Sequence, residues 1–77
     1  MEIEIISFGK ISEFIPRQKI DITGISDTDT LKVHLEKAFP QISTMKYKLA
    51  LNEKLVQNNT LISGNEVVAI MPPFSGG

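Results

Sequence analysis

No cysteine occurs in the 77 residues. Disulfide frameworks, thiolate metal sites, iron–sulfur clusters and cysteine nucleophiles are thereby excluded. Small secreted domains ordinarily carry disulfides, so the cytoplasm is the expected compartment. Histidine is nearly absent as well. His34 stands alone between Val33 and Leu35, with neither the oriented nucleophile that a general base needs nor the further ligands that a metal needs; it reads as a surface histidine, with no metal expected. No apolar run approaches the length of a membrane span, and the opening MEIEIISFG carries acids where a signal peptide would carry bases. Gly64–Asn65 lacks both a glycine-rich fingerprint and a following lysine, so it reads as a turn and not a phosphate loop. A basic stripe is missing too. Eight Lys+Arg against nine Asp+Glu leave a net charge of −1, which argues against nucleic acid or an anionic membrane as partner.

What is present reads as one α+β domain. The β-branched segment EIEIISF, residues 2–8, predicts a strand whose slip in alternation at Ile5–Ile6 suits burial on both faces. Glu2 and Glu4 share one side of it and are expected to solubilise an exposed edge. Ile11, Phe14 and Ile15 fall at helical spacing before Pro16 and predict a short packed turn. KIDIT, residues 19–23, alternates as a second strand. Asp27 or Thr28 caps a helix whose apolar stripe is Leu31, Leu35, Ala38, Phe39 and Ile42, stopped near Pro40. Tyr47, Leu49 and Leu51 alternate with Lys48, Ala50 and Asn52 in a third strand. Asn52–Glu53 turns the chain into a short fourth strand, 54–56, and EVVAIM, residues 66–71, is the last. With the two most apolar strands paired parallel at the centre, this order predicts a ubiquitin-like β-grasp: a mixed sheet of about five strands on one main helix plus a short helix. The expected division is a folded domain over 1–71 and an extended tail over 72–77.

The tail MPPFSGG holds the chemistry that the domain lacks. It contains no ionisable side chain, so Gly77 is expected to supply a terminal carboxylate as its one titratable group. Paired glycines enter passages too narrow for other residues. Pro72 and Pro73 stiffen the exit from the last strand, and the six residues from Pro72 reach about 20 Å when extended. Phe74 is an apolar anchor without a home in so small a core. A carboxylate is a poor electrophile and accepts sulfur or an amine only after activation, most simply as an acyl-adenylate. The chain has no nucleotide site, so a separate enzyme must perform that step.

FGKISEFI (8–15), ALNEKLV (50–56), LISGNEVVAI (61–70) and PPFSGG (72–77) resemble the MoaD/ThiS ubiquitin-like sulfur carriers, and within them the small subunit of molybdopterin synthase. The PP-x-[ST]-GG ending is the most specific element. The resemblance implies a carrier that is not catalytic alone and binds no cofactor itself. An E1-like activating enzyme would use ATP and Mg2+ to adenylate Gly77, and a sulfur donor would convert the terminus to a thiocarboxylate. The large synthase subunit, in a heterotetramer of two small and two large chains, would supply the catalytic residues and pass the sulfur to cyclic pyranopterin monophosphate. It further implies that Gly77 bears the sulfur with Gly76 as its sterically required neighbour. Pro72, Pro73, Phe74 and Ser75 would line the threaded stem, and Phe8 and Met71 would make docking contacts. Ser12 departs from an arginine common in the family. The same chemistry would also serve a sulfur carrier for thiamine or tRNA thiolation, or a modifier conjugated through Gly77. An interaction domain with an inert tail is the remaining alternative.

Overall fold

Isoleucine occupies positions 3, 5 and 6, and β-branched side chains suit a pleated, half-buried surface. Glu2–Ser7 accordingly forms strand β1. The computed structural model describes residues 1–73; the expectations placed on Phe74, Ser75, Gly76 and Gly77 lie outside the described residues. After β1 comes a 3-10 turn over Gly9–Glu13, then β2 (Gln18–Asp21) and the helix α1 (Thr28–Ala38). A second 3-10 turn, Pro40–Thr44, leads to β3 (Lys48–Leu51), β4 (Lys54–Leu55) and β5 (Val67–Met71). The sheet order is β2-β1-β5-β3-β4, parallel between β1 and β5 and antiparallel elsewhere. This is the α+β β-grasp arrangement that the sequence predicts.

One face of the sheet carries the core. Ile3 and Ile5 from β1, Leu49 from β3, and Val68 and Ile70 from β5 pack with Leu31 and Leu35 of α1, all essentially inaccessible. Each such side chain contributes about 1.5–3 kcal/mol by leaving water. The helix is cut to length by its ends. Asp27 accepts a hydrogen bond from the Thr30 amide at 2.9 Å, and Pro40 holds Phe39 in a non-helical conformation (φ −129, ψ 78). Helix and loop are also tied across a long sequence separation. The buried Thr28 hydroxyl accepts from the Thr60 amide at 2.9 Å, and the Asn59 side-chain oxygen accepts from the Asp29 amide at 2.9 Å. Asn52 and Glu53 both take positive φ (47 and 72), the geometry of a two-residue hairpin turn.

Three expectations are corrected. Ala38 is exposed, because α1 ends there, and Ile42 reaches the core from the second 3-10 turn. β1 lies between β2 and β5, as expected of a central strand, and Glu4 on it pairs with Arg17. The strands also differ in length from the reading, with β2 starting at Gln18 and ending at Asp21, and β4 ending at Leu55. Finally, β1 and β5 are covered on one face only. Their second face has no helix on it: Ile6, Val67, Ala69 and Met71 line a shallow hollow there, and Glu2 and Glu4 share that side of β1.

Four carboxylates, Glu4, Asp21, Asp27 and Glu66, are held below their ordinary values and make the fold acid-sensitive. Burial pushes Glu66 upward, but hydrogen bonds donated by the Ser63 and Gly64 amides outweigh it and hold the group below its ordinary 4.5. Hydrogen bonding from Thr30 and then Asn59 holds Asp27 below its ordinary 3.8. Carboxylates with lowered folded values contribute stability that is complete above their unfolded values and lost as pH falls toward the folded ones. Stability should therefore decline on acidification from pH 4.5 downward, and Glu66→Gln should flatten the upper part of that decline in urea titrations; a curve parallel to wild type would refute the assignment. Thr28→Val, which leaves the Thr60 amide without its acceptor, should cost about 1–3 kcal/mol, read as a lower urea midpoint at unchanged slope.

Candidate functional site

Parallel pairing sends the C-terminal ends of β1 and β5 to the same end of the sheet. Ser7 stands opposite Ile70, and the Phe8 amide donates to the Ile70 carbonyl at 3.1 Å. Phe8 and Met71, distant in sequence, are thereby placed together where the chain leaves the fold. Gly9 follows with φ +61, a conformation that disfavours a side chain, and a Cβ there would lie 3.1 Å from Pro72 Cγ. The turn after β1 thus packs directly against the first residue of the tail stem. Pro72 is half-buried and Pro73 exposed.

The open face of the sheet holds a concavity of about 540 Å3, lined by Ile6, Phe8, Ala50, Leu55, Ala69 and Met71, with Val67, Asn52 and Glu53 completing it. Its shape follows from side-chain size. Ala50 and Ala69 face each other across β3–β5, and Ala69 also faces Ile6 across β1–β5. Two methyl groups at the middle of the sheet make a low floor, and Phe8, Leu55 and Met71 stand around it as walls. Phe8 is 49% exposed and Leu55 41% exposed. Its floor holds no group that could move a proton or attack a bond.

The expected docking residues Phe8 and Met71 therefore line one hollow. Sequence reasoning missed the remainder. Ala50 and Leu55 were legible in principle, since strand parity puts both on the same side as Met71 once the antiparallel pairing is known. Gly9 could have been flagged as a glycine closing a strand. Ser12 donates its hydroxyl to the Gly9 carbonyl at 2.6 Å, and the hollow it borders is also lined by Arg17. His34 is exposed. Among the described residues no group of three His, Asp or Glu side chains could hold a metal ion, and no helix is long and apolar enough to cross a membrane.

A family model described as the ThiS family matches residues 5–77. The chain belongs to the ThiS family. Members of the ThiS/MoaD family are small, non-catalytic sulfur carriers. Solved structures share the fold. A chain provisionally named molybdopterin converting factor, subunit 1, from Pyrococcus furiosus superposes with a TM-score of 0.84 at 13% identity, covering 95% of this chain and 98% of that one. SAMP1 from Haloferax volcanii gives 0.79 at 17% identity, with both chains covered in full. A chain in the complex of subunits 1 and 2 of molybdopterin-converting factor from Helicobacter pylori 26695 gives 0.74 at 26% identity, again with both covered in full.

The two kinds of contact at the site should separate by mutation. Gly9→Ala places a Cβ against Pro72 at positive φ and should cost about 1–2 kcal/mol of stability. Leu55→Asp, on the open face of a two-residue edge strand, should stay within about 1 kcal/mol of wild type. Urea denaturation of both variants checks this; equal losses would show that the hollow belongs to the core.

Proposed function

We propose that this ThiS-family carrier is the sulfur-donating small subunit of a molybdopterin synthase. The observation that carries this reading is the 26% identity, over the full length of both chains, to a chain of the molybdopterin-converting factor complex. The Pro72–Pro73–Phe74–Ser75–Gly76–Gly77 ending supports it from the sequence side. In this reading the activating enzyme, using ATP and Mg2+, drives the Gly77 carboxylate onto the α-phosphorus of ATP, releasing pyrophosphate. A persulfide donor then displaces AMP from the acyl carbon, and cleavage of the sulfur–sulfur bond by a thiol leaves the thiocarboxylate. An α-carboxyl with a pKa near 3.5 is ionised at neutral pH and ready for the first attack. Docking would use the apolar hollow, with Phe8, Met71 and Leu55 at its walls. The stem formed by Pro72, Pro73, Phe74 and Ser75 would thread toward the large subunit's active site, and the bare Gly76–Gly77 would pass its narrowest part.

The hollow contributes affinity because apolar area leaves water there at about 25 cal/mol per Å2. The packing of Gly9 on Pro72 would fix where the stem begins, so less freedom would be lost on threading.

Intact-mass spectrometry after incubation with the activating enzyme, ATP, Mg2+ and a sulfur donor should show a gain equal to one oxygen replaced by sulfur. Added to the large subunit and cyclic pyranopterin monophosphate, the loaded chain should yield molybdopterin. Leu55→Asp should lower the efficiency of loading by about tenfold or more while the domain stays folded. No mass change would sink the carrier chemistry. Loading without molybdopterin formation, with transfer to a thiazole synthase instead, would move the chain to another sulfur pathway. High-mass isopeptide products in lysates would indicate a modifier.

A further inference from the structure

Three lysines meet at the root of the tail from separate parts of the chain. Lys32 comes from α1, Lys46 from the turn before β3 and Lys48 from β3 itself. With Glu36, Tyr47 and Pro73 they line a hollow of about 420 Å3. Lys32, Tyr47 and Lys48 continue into an adjoining hollow of about 460 Å3. Lys48 stands opposite Met71 across β3–β5, so the cluster borders the point where the chain departs toward Gly77. Three of the eight Lys and Arg residues thus collect in one place on a chain of net charge −1. The one carboxylate lining the hollow with them is already engaged: Glu36 accepts the Tyr47 hydroxyl at 2.5 Å. Burial, together with that carboxylate, pushes the Tyr47 hydroxyl above its ordinary 10.0, so it remains a donor at neutral pH. The ion pairs among the described residues join the Met1 amino group to Asp21 and Arg17 to Glu4; none involves these lysines.

Reach decides what they can meet. Threaded in extended form, as the carrier reading requires, the four residues beyond Pro73 would carry the Gly77 carboxylate on the order of 14 Å away. A nucleotide reacting with that carboxylate is then too distant for its phosphates to touch the lysines. What faces them when the tail is inserted is the protein surface around the mouth of the receiving cleft. We propose that Lys32, Lys46 and Lys48 form a docking patch for an acidic protein surface at the rim of that cleft, a proposal that rests on the carrier reading. Rim charges of this kind steer encounter and fix orientation, and they are screened by salt.

Two measurements test it. In the first, the 15N-labelled protein is titrated with a hexaglutamate peptide at low salt. Amide shifts should concentrate at residues 32, 46–48 and their neighbours and vanish at high salt; shifts that are absent there, or centred elsewhere, would overturn the proposal. Tighter binding of a short single-stranded RNA than of the peptide at physiological salt would reassign the patch to nucleic acid and overturn it. A Gly77 carboxamide form that binds the peptide more than about tenfold tighter would assign the patch to the chain's own carboxylate, also overturning it. In the second, loading by the activating enzyme is followed for the pair Lys32→Glu and Lys48→Glu. Efficiency should fall about tenfold at low salt, mainly in KM, and recover to within about threefold of wild type at high salt. The pair Lys19→Glu and Lys37→Glu, with the same charge change, should stay within about threefold. If the reversal unfolds the domain, Lys32→Gln with Lys48→Gln should give a smaller loss of the same sign. An unchanged efficiency with normal wild-type loading overturns the patch and leaves the carrier reading standing. Failure of wild type to load sinks that reading, and the peptide titration then decides the patch alone.

Discussion

The parallel pairing of β1 with β5 is the constraint on which the rest depends. It joins the two ends of the chain at the middle of the sheet, with Ile5 opposite Val68 and Ser7 opposite Ile70. Because both strands run the same way, the residue that leaves β1 and the residue that leaves β5 emerge side by side. Phe8, Gly9, Met71 and Pro72 are neighbours for that reason alone. Parallel strands need a long crossover connection, and here the connection holds α1, the three other strands and both 3-10 turns. The helix, in crossing, covers one face of the pair and leaves the other face bare.

That asymmetry separates stability from recognition. Ile3, Ile5, Val68 and Ile70 look toward α1 and hold the domain together. Ile6, Val67, Ala69 and Met71 alternate with them on the same two strands and look outward into the hollow. The hollow is thus built from side chains that the core does not use. Pro72 follows Met71 at its border, so under the proposed function docking on the sheet and threading of the tail would start from the same place.

The charge arrangement fits the same division. The hollow's floor is uncharged, with Glu53 among its lining residues; farther out, Arg17 pairs with Glu4 on the β1–β2 side, and Lys48 lies by the tail root on the β3 side. Apolar area supplies affinity that does not depend on orientation, and border charges restrict how a partner approaches. The hydrogen bond that Tyr47 donates to Glu36 ties β3's approach to α1 and engages the carboxylate that lines the lysine hollow.

Local patterns were legible in the residues themselves. Asp27 as cap, Pro40 as helix stop, Asn52–Glu53 as hairpin turn and the β-branched runs of β1 and β5 each follow from backbone preference within a few positions, which composition records directly. The fold class and the parallel central pair followed from their order along the chain. The Gly76–Gly77 pair was visible in the residues as well, and the chemistry proposed for it rests on the sequence and lies outside the described residues. Which apolar residues were left uncovered was not legible. EVVAIM reads as buried on both sides, and nothing within it says that Val68 and Ile70 meet a helix while Ala69 and Met71 line an open hollow. Nor does Gly9 announce that Pro72, 63 positions later, will rest against it. Those facts depend on register and on which sheet face the single helix covers, and both are set by contacts between segments far apart in the chain. The residues alone determined the strands and the helix, because backbone preference acts within a few positions; tertiary pairing decided that β5 would end with Pro72 resting against Gly9 beside an open hollow.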